Sequence, residues 1–176
     1  MSLYEFEGQC PLIPKSSFIH PQATIIGNVK LGEECYIGAG AVIRGDYGRI
    51  VIGNGSNIQD NCTIHVDLDT EAIIGDNVLV GHGAIIHGPC LVKEYAVVGM
   101  GSIVSNGCEI GNESLLAAGS VLPPRSTIPP RKLAMGNPAL VVKDLSEKMI
   151  SKNKNGLKLY QDMAKRCINE LKIIVD

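Results

Sequence analysis

Aliphatic residues return at every sixth position along most of this chain. Ile13, Ile19, Ile25, Leu31, Ile37 and Ile43 open the series. Ile52, Ile58 and Ile64 continue it after a slip of three residues. Ile74, Val80, Ile86, Val92, Val98, Val104, Ile110, Leu116, Leu122, Ile128, Ala134 and Leu140 follow after a slip of four. The residue after the aliphatic is often glycine, as at Gly32, Gly38, Gly53, Gly75, Gly81, Gly99 and Gly111. The residue four positions on is usually small, as at Cys35, Ala41, Ser56, Cys62, Ala84, Cys90, Ala96, Ser102 and Cys108. One large and one small inward residue per six, with glycine easing a turn, predicts an all-β solenoid, a parallel β-helix.

These hexads resemble the hexapeptide-repeat, or left-handed β-helix, superfamily. The resemblance implies three hexads per triangular coil and supplies the handedness, which periodicity alone does not give. Twenty-one hexads then make about seven coils and, at ~4.8 Å per coil, a prism roughly 33 Å tall. Residues 1–142 form this domain. Beyond Leu140 the period changes, and residues 143–176 read as a helical segment laid along the prism. Ser146 is a candidate N-cap, and Gly156 is expected to separate a short helix from a longer one. Leu157, Tyr160, Ala164, Cys167, Leu171 and Ile174 make one apolar stripe.

Composition narrows the picture. The chain has 176 residues and a net charge of -2, with no basic face for nucleic acid. No 18-residue apolar run suggests a membrane span, and the first residues lack a signal-peptide layout, so a cytoplasmic protein is expected. With no Trp and two Phe, the core must be built from Ile, Val, Leu and Ala. The six cysteines stand singly. Cys35, Cys62, Cys90 and Cys108 fall in the small inward slot and are expected to act as buried hydrophobes. Cys10 and Cys167 lie outside the coils.

The repeat is broken in one neighbourhood. The slot after the aliphatic holds Arg44, Gln59, His65 and His87. Three hexads per coil stack Arg44, His65 and His87 in one column, with His65 and His87 about 4.8 Å apart at the backbone. His82, in the stretch GHGAIIHG, belongs to the adjacent face, above Asp60. It should not reach the His65–His87 pair within one chain, but a neighbouring prism in a cyclic trimer could bring its His82 there. Three imidazoles suit zinc, and also Fe(II) or Co(II). Three protein ligands leave an open position for water, the arrangement of a catalytic site. The plainer readings of a lone His on such a prism are a turn residue or the base of an acyltransferase.

The stretch RGDYGRIVIGNGSNIQDNCTIH, followed by GHGAIIH, resembles the γ-class carbonic anhydrases. The shared pattern is Arg44 and Asp46, then Gln59 and Asp60, then His65, His82 and His87. Within that class the chain most resembles the type encoded beside phenylacetate-degradation and carnitine-metabolism enzymes, through RGDYGRI and through Tyr160, Gln161, Arg166 and Cys167. The resemblance implies metal-dependent hydration of CO2 to bicarbonate by a metal-bound hydroxide at the interfaces of a homotrimer. His65 and His87 of one chain and His82 of the next would hold the metal. Gln59 would orient the hydroxide or polarise CO2, and Tyr160 either lines the site from the helix or packs in the core. Arg44 and Asp46 would pair across the interface, and Asp60 would bond backbone or an arginine there. Two features depart from the archetype. Tyr47 stands where a Glu is usual, and the loop after His65 is short, offering only Asp67, Asp69 and Glu71 as proton carriers.

Three other readings stand beside this one. A hexapeptide acyltransferase would bind acyl-CoA between prisms and use one His as base. GNPAL, ending at Leu140, resembles the segment GNPAK that closes such prisms, with Leu in place of Lys. A thioesterase would turn the same metal site on an acyl-CoA. A non-catalytic assembly subunit would use any metal structurally.

Overall fold

The computed structural model describes residues 2–174; Met1, Val175 and Asp176, at the ends of the two expected segments, lie outside them. Short parallel strands wind into a β-solenoid of about seven coils, with one C-terminal helix along its side. The core consists of the six-residue series. Ile37, Ile43, Ile58, Ile64, Ile74, Ile86, Ile110 and Leu116 have no accessible surface, and Cys35, Ala41, Cys62 and Ala84 fill the gaps between them. Parallel pairing sets like on like: Ile43, Ile64, Ile86, Val104 and Leu122 stand abreast in successive coils. Branched aliphatics suit this half-buried pleated surface. All four cysteines of the small slot are buried.

The two slips in the repeat leave the stacking intact. At the first, one long strand, Val42–Ile52, runs across two faces of the prism, and Ile50 joins the core. At the second, residues 67–70 form a turn between Thr63–Val66 and Glu71–Ile74. Both loops therefore bulge outward at one edge, and the residues that follow regain their places in the ladder.

The prism ends one hexad earlier than the spacing predicts. Leu140 is 67% exposed, and its neighbour Ala139 is buried instead. The cause is a chain reversal at Gly136–Pro138. The strand Ala139–Asp144 returns antiparallel along Lys132–Gly136, so the inward–outward alternation starts afresh.

Helix α1 (Glu147–Glu170) is continuous, where Gly156 was expected to divide it. Ser146 caps it, its side chain accepting from the Met149 amide. Glycine in a helix interior costs about 1 kcal/mol relative to alanine. Here the flanks are anchored: Leu157 is buried, and Lys154 pairs with Glu113 at 2.5 Å. Further ties run down the helix. Arg131 pairs with Glu147, and the Gln161 amide donates to Gly55 O at 3.1 Å and Asn77 Oδ1 at 3.0 Å. Lys165 reaches Glu34 at 3.2 Å. Of the expected stripe, Leu157 and Ala164 are buried, Tyr160 and Cys167 half-buried, while Leu171 and Ile174 lie exposed beyond the helix end. Among the described residues, no helix is long and apolar enough to cross a membrane.

Candidate metal centre

The eight candidate residues fall into two groups on either side of one prism corner. The first group occupies the outer surface of the ladder that carries Ile43, Ile64 and Ile86. Side chains alternate along a strand, so the residue after each inward isoleucine faces out. Arg44, His65 and His87 thus stand in register in successive coils. The His65 and His87 rings lie 5.3 Å apart between centroids, edge to face. Asp46, two residues beyond Arg44 and on the same side, binds both neighbours. Its Oδ2 accepts from Arg44 at 2.5 Å and its Oδ1 lies 3.1 Å from His65 Nε2. Arg44 and Asp46, expected to pair between chains, meet within one chain, because residues two apart on a strand share a side, and the Arg44 side chain keeps 40% of its surface exposed. Burial pushes the Asp46 carboxyl up, but the bonds to Arg44 and His65 outweigh it and hold it below the ordinary aspartate range. Tyr47, the residue that departs from the archetype, sets its ring 5.5 Å from that of His65.

Of the three acidic residues in the short loop, only Asp67 faces a histidine. Its Oδ1 is 3.8 Å from His87 Nδ1. Glu71 is engaged by Arg49 at 2.7 Å, and Asp69 takes a left-handed backbone conformation at the turn.

The second group lies at the corner and beneath helix α1. His82 Nδ1 faces Asp60 Oδ2 at 3.2 Å, and the Tyr160 hydroxyl lies 3.1 Å from His82 Nε2. A carboxylate beside Nδ1 favours a proton there, leaving the Nε2 lone pair to accept from Tyr160. Asp60 also accepts from the Ala39 amide at 2.9 Å, which fixes the carboxylate. Burial pushes the Tyr160 phenol up, so it remains a donor. Its ring packs on Tyr36, 5.2 Å away between centroids. Tyr160 therefore touches both the apolar layer under the helix and the candidate ligand. His82 and Tyr160 open onto a groove of about 340 Å³ walled by Tyr36, Leu159 and Met163.

Gln59 joins this second group. It is only 3% exposed; its Oε1 accepts from the His82 amide at 3.2 Å and its Nε2 donates to Asn57 Oδ1 at 3.0 Å. Asn57, absent from the sequence-based candidates, is 1% exposed, and its Nδ2 has no partner among the described residues. A signal for it existed. Asn57 pairs in register with Tyr36 and Leu79, and that ladder continues through Val97 and Leu115. A lone carboxamide in an otherwise apolar column under a helix needs a reason.

Among the described residues, no three His, Cys, Asp or Glu side chains of one chain converge on a point that could hold a metal. The donor chemistry nonetheless fits a divalent ion. Each of the three imidazoles has a carboxylate beside one nitrogen: Asp46 at His65 Nε2, Asp60 at His82 Nδ1 and, more loosely, Asp67 at His87 Nδ1. That leaves one nitrogen per ring without a carboxylate, on His82 the one that meets the Tyr160 hydroxyl, and this is the pattern by which carboxylates orient metal-binding histidines. His20, the fourth histidine, accepts from the Gln22 amide in a turn and joins neither group.

Comparison with known proteins places the chain. Residues 11–45 match the family model described as bacterial transferase hexapeptide (six repeats). The carnitine operon protein CaiE of Escherichia coli is 44% identical over 167 residues, covering 95% of this chain and 85% of CaiE. Among solved structures, a Bacillus cereus protein bearing the provisional name acetyltransferase superposes with a TM-score of 0.94 at 36% identity, covering 97% of this chain and 98% of that one. A hexapeptide transferase family protein from Anaplasma phagocytophilum gives 0.89 at 34% identity, covering 93% and 96%. None of these names refers to carbonic anhydrase or to a metal. Hexapeptide-repeat proteins commonly form trimers. With 95% of its length aligned to CaiE at 44% identity and its coils superposing on those of the solved neighbours, this chain belongs to the hexapeptide-repeat family of left-handed β-helix proteins.

Proposed function

We propose that the protein is a metal-dependent enzyme of the γ-class carbonic anhydrase type, hydrating CO2 to bicarbonate at the three interfaces of a cyclic trimer. One observation carries this reading. A single chain bears two half-sites that do not meet: His65 and His87 with Asp46 on one face, and His82 with Asp60, Gln59 and Tyr160 at the corner. A cyclic assembly brings the corner of one subunit to the face of the next. His65 and His87 would then share a zinc, Fe(II) or Co(II) ion with His82 of the partner subunit.

A metal held there supplies a water of lowered pKa as nucleophile. The protein's own part is positioning. Asp46 fixes the His65 ring and Asp60 fixes the protonated nitrogen of His82, so each ring is held in orientation, and His82 Nε2 has only the Tyr160 hydroxyl to give up. Gln59 holds the backbone beside His82, and Asn57 in turn holds Gln59. The Tyr160 hydroxyl, released from His82 Nε2, can donate a hydrogen bond to an oxygen of the substrate. Asp67, beside His87 at the rim, is the carboxylate best placed to accept the proton each turnover releases.

Acyl transfer from an acyl-CoA is the second reading, and the names of the structural neighbours back it more directly than they back CO2 hydration. The His82–Asp60 pair favours it as well, being a base with an oriented imidazole complete in one chain. That reading leaves the stacked His65 and His87 without a task. Metal analysis of protein purified without chelator separates the two. About one zinc or iron per chain, with CO2 hydration in stopped flow that chelator abolishes, supports the first reading. Metal-free protein that binds CoA and acetylates amines supports the second.

A further inference from the structure

Left-handed backbone recurs at the prism corners. At the corner beneath the ties of helix α1, the residues with positive φ are Glu34, Gly55, Asn77, Tyr95, Glu113 and Arg131. Five of the six carry side chains. At the corner bearing His82 they are Gly40, Asn61, Gly83, Gly101 and Gly119, with φ of 67°, 59°, 67°, 64° and 67°. Four of these five are bare. The conformation is the same at both corners, so it does not by itself demand glycine in this chain. Internal packing does not demand it either. A Cβ on Gly83, Gly101 or Gly119 would meet nothing within 4 Å. The three stack coil on coil, each amide donating at 2.8 Å to the carbonyl of the coil below: Gly83 to Asp60, Gly101 to His82, Gly119 to Met100. Even Asn61 keeps the edge clear, because its carboxamide lies across Gly40. Glycine loses more freedom on folding than any other residue. Its use along a whole edge, where packing leaves room for a side chain and the other corner carries side chains at the same φ, points to a body outside the chain that approaches closer than side chains would allow.

A second copy supplies the matching surface. Beside the His65–His87 column, Thr63, Ile85, Ile103 and Val121 stand abreast as a strip of branched side chains, and Ile85 and Ile103 are exposed. A threefold axis parallel to the prism leaves heights unchanged. Gly101 and Gly119 of one subunit then come level with Ile103 and Val121 of the partner subunit, just as His82 comes level with His87. We infer that the bare corner of Gly83, Gly101 and Gly119, with Met100 between them, is the docking edge by which each subunit seats on the aliphatic strip of the next. The inference rests on the trimer reading above. It adds that assembly is set by absent side chains on one edge, independently of any metal.

The test replaces Gly101 and Gly119 by Asn, which this chain already accepts at positive φ at Asn61 and Asn77. Gly8→Asn is the control, a glycine at φ 78° in the N-terminal turn, equally open and away from the edge. Met100→Glu is a second variant that makes no backbone demand, since Met100 is 57% exposed. Sedimentation equilibrium on chelator-treated protein reads the mass, and circular dichroism reads the fold. The expected result is three times the 18.7 kDa chain mass for wild type and Gly8→Asn, and one chain mass for folded Met100→Glu and the double glycine variant. Edge variants that remain trimeric overturn the docking edge while leaving the metal reading intact. Trimeric wild type without metal, beside monomeric edge variants, supports the edge even where metal analysis refutes the metal reading. A chelator-treated wild type that is monomeric overturns the docking edge, and it overturns the metal reading as well only if adding back zinc or Fe(II) does not restore the trimer.

Discussion

Replacing Asp60 by Asn tests how the corner half-site is organised. The carboxylate makes two contacts: Oδ1 accepts from the Ala39 amide at 2.9 Å, and Oδ2 faces His82 Nδ1 at 3.2 Å. In the Asn variant the carbonyl oxygen can keep the Ala39 bond. The amide nitrogen then faces His82 as a donor, so Nδ1 must accept and the ring proton moves to Nε2. That nitrogen can no longer bind a metal or accept from Tyr160. Loss of such an orienting partner weakens metal binding by ~10–100-fold, equivalent to about 1.4–2.8 kcal/mol. The fold should survive, because the bond to Ala39 remains and the His82–Asp60 contact is half-exposed and worth at most ~1 kcal/mol. Asp60→Ala, by contrast, strands the Ala39 amide as well and should cost about 1–3 kcal/mol of stability. The assay is zinc competition against a chromogenic chelator, run beside thermal unfolding. An unchanged competition midpoint in folded Asp60→Asn protein would refute the tautomer argument and, with it, the role of His82 as third ligand.

His87→Ala should lose bound metal in elemental analysis while keeping the trimer in sedimentation; a variant that retained the ion would show that the stacked pair is not a ligand pair. Ile64→Ala should lower stability in urea by about 2–5 kcal/mol, because Ile64 has no accessible surface and lies between Ile43 and Ile86, equally enclosed. A loss under ~1 kcal/mol would mean that the coils collapse around the cavity. Thiol labelling of the folded protein near pH 8 should modify Cys10, which is exposed, and spare Cys35, Cys62 and Cys90 until denaturant is added. Burial pushes Cys35 and Cys62 up to about 11, so about one in a thousand is thiolate at that pH, and only in a form that reagent cannot reach.

The core was legible because a solenoid places residues by counting. Each coil meets only its neighbours, so a period of six located Ile43, Ile64 and Ile86, and with them the outward column of Arg44, His65 and His87. What counting cannot reach is anything set by an element that leaves the repeat. Asn57 was missed because helix α1, far along the chain, is what buries it. Leu140 kept the period but turned outward, because a reversal at Gly136–Pro138 changed the direction of the strand. Gly156 read as a break, yet ties on both sides hold the helix across it. The Arg44–Asp46 contact was available from strand alternation, but the resemblance drew attention to the interface instead.

The ties along helix α1 bear on how the molecule comes apart. A stack of coils held only by nearest neighbours could fray from either end, one coil at a time. Here Glu147, Lys154, Gln161 and Lys165 meet partners at Arg131, Glu113, Asn77 and Glu34, in that order down the prism. From Glu147 to Lys165 the helix rises about 27 Å at 1.5 Å per residue. From Arg131 to Glu34 the coils span about 24 Å at ~4.8 Å per step. The two rulers agree, so the helix acts as a splint that couples distant coils and should make unfolding cooperative. The same match constrains descent within the family. A coil gained or lost moves every tie below it by one step, and must be answered by about three helical residues if the splint is to hold.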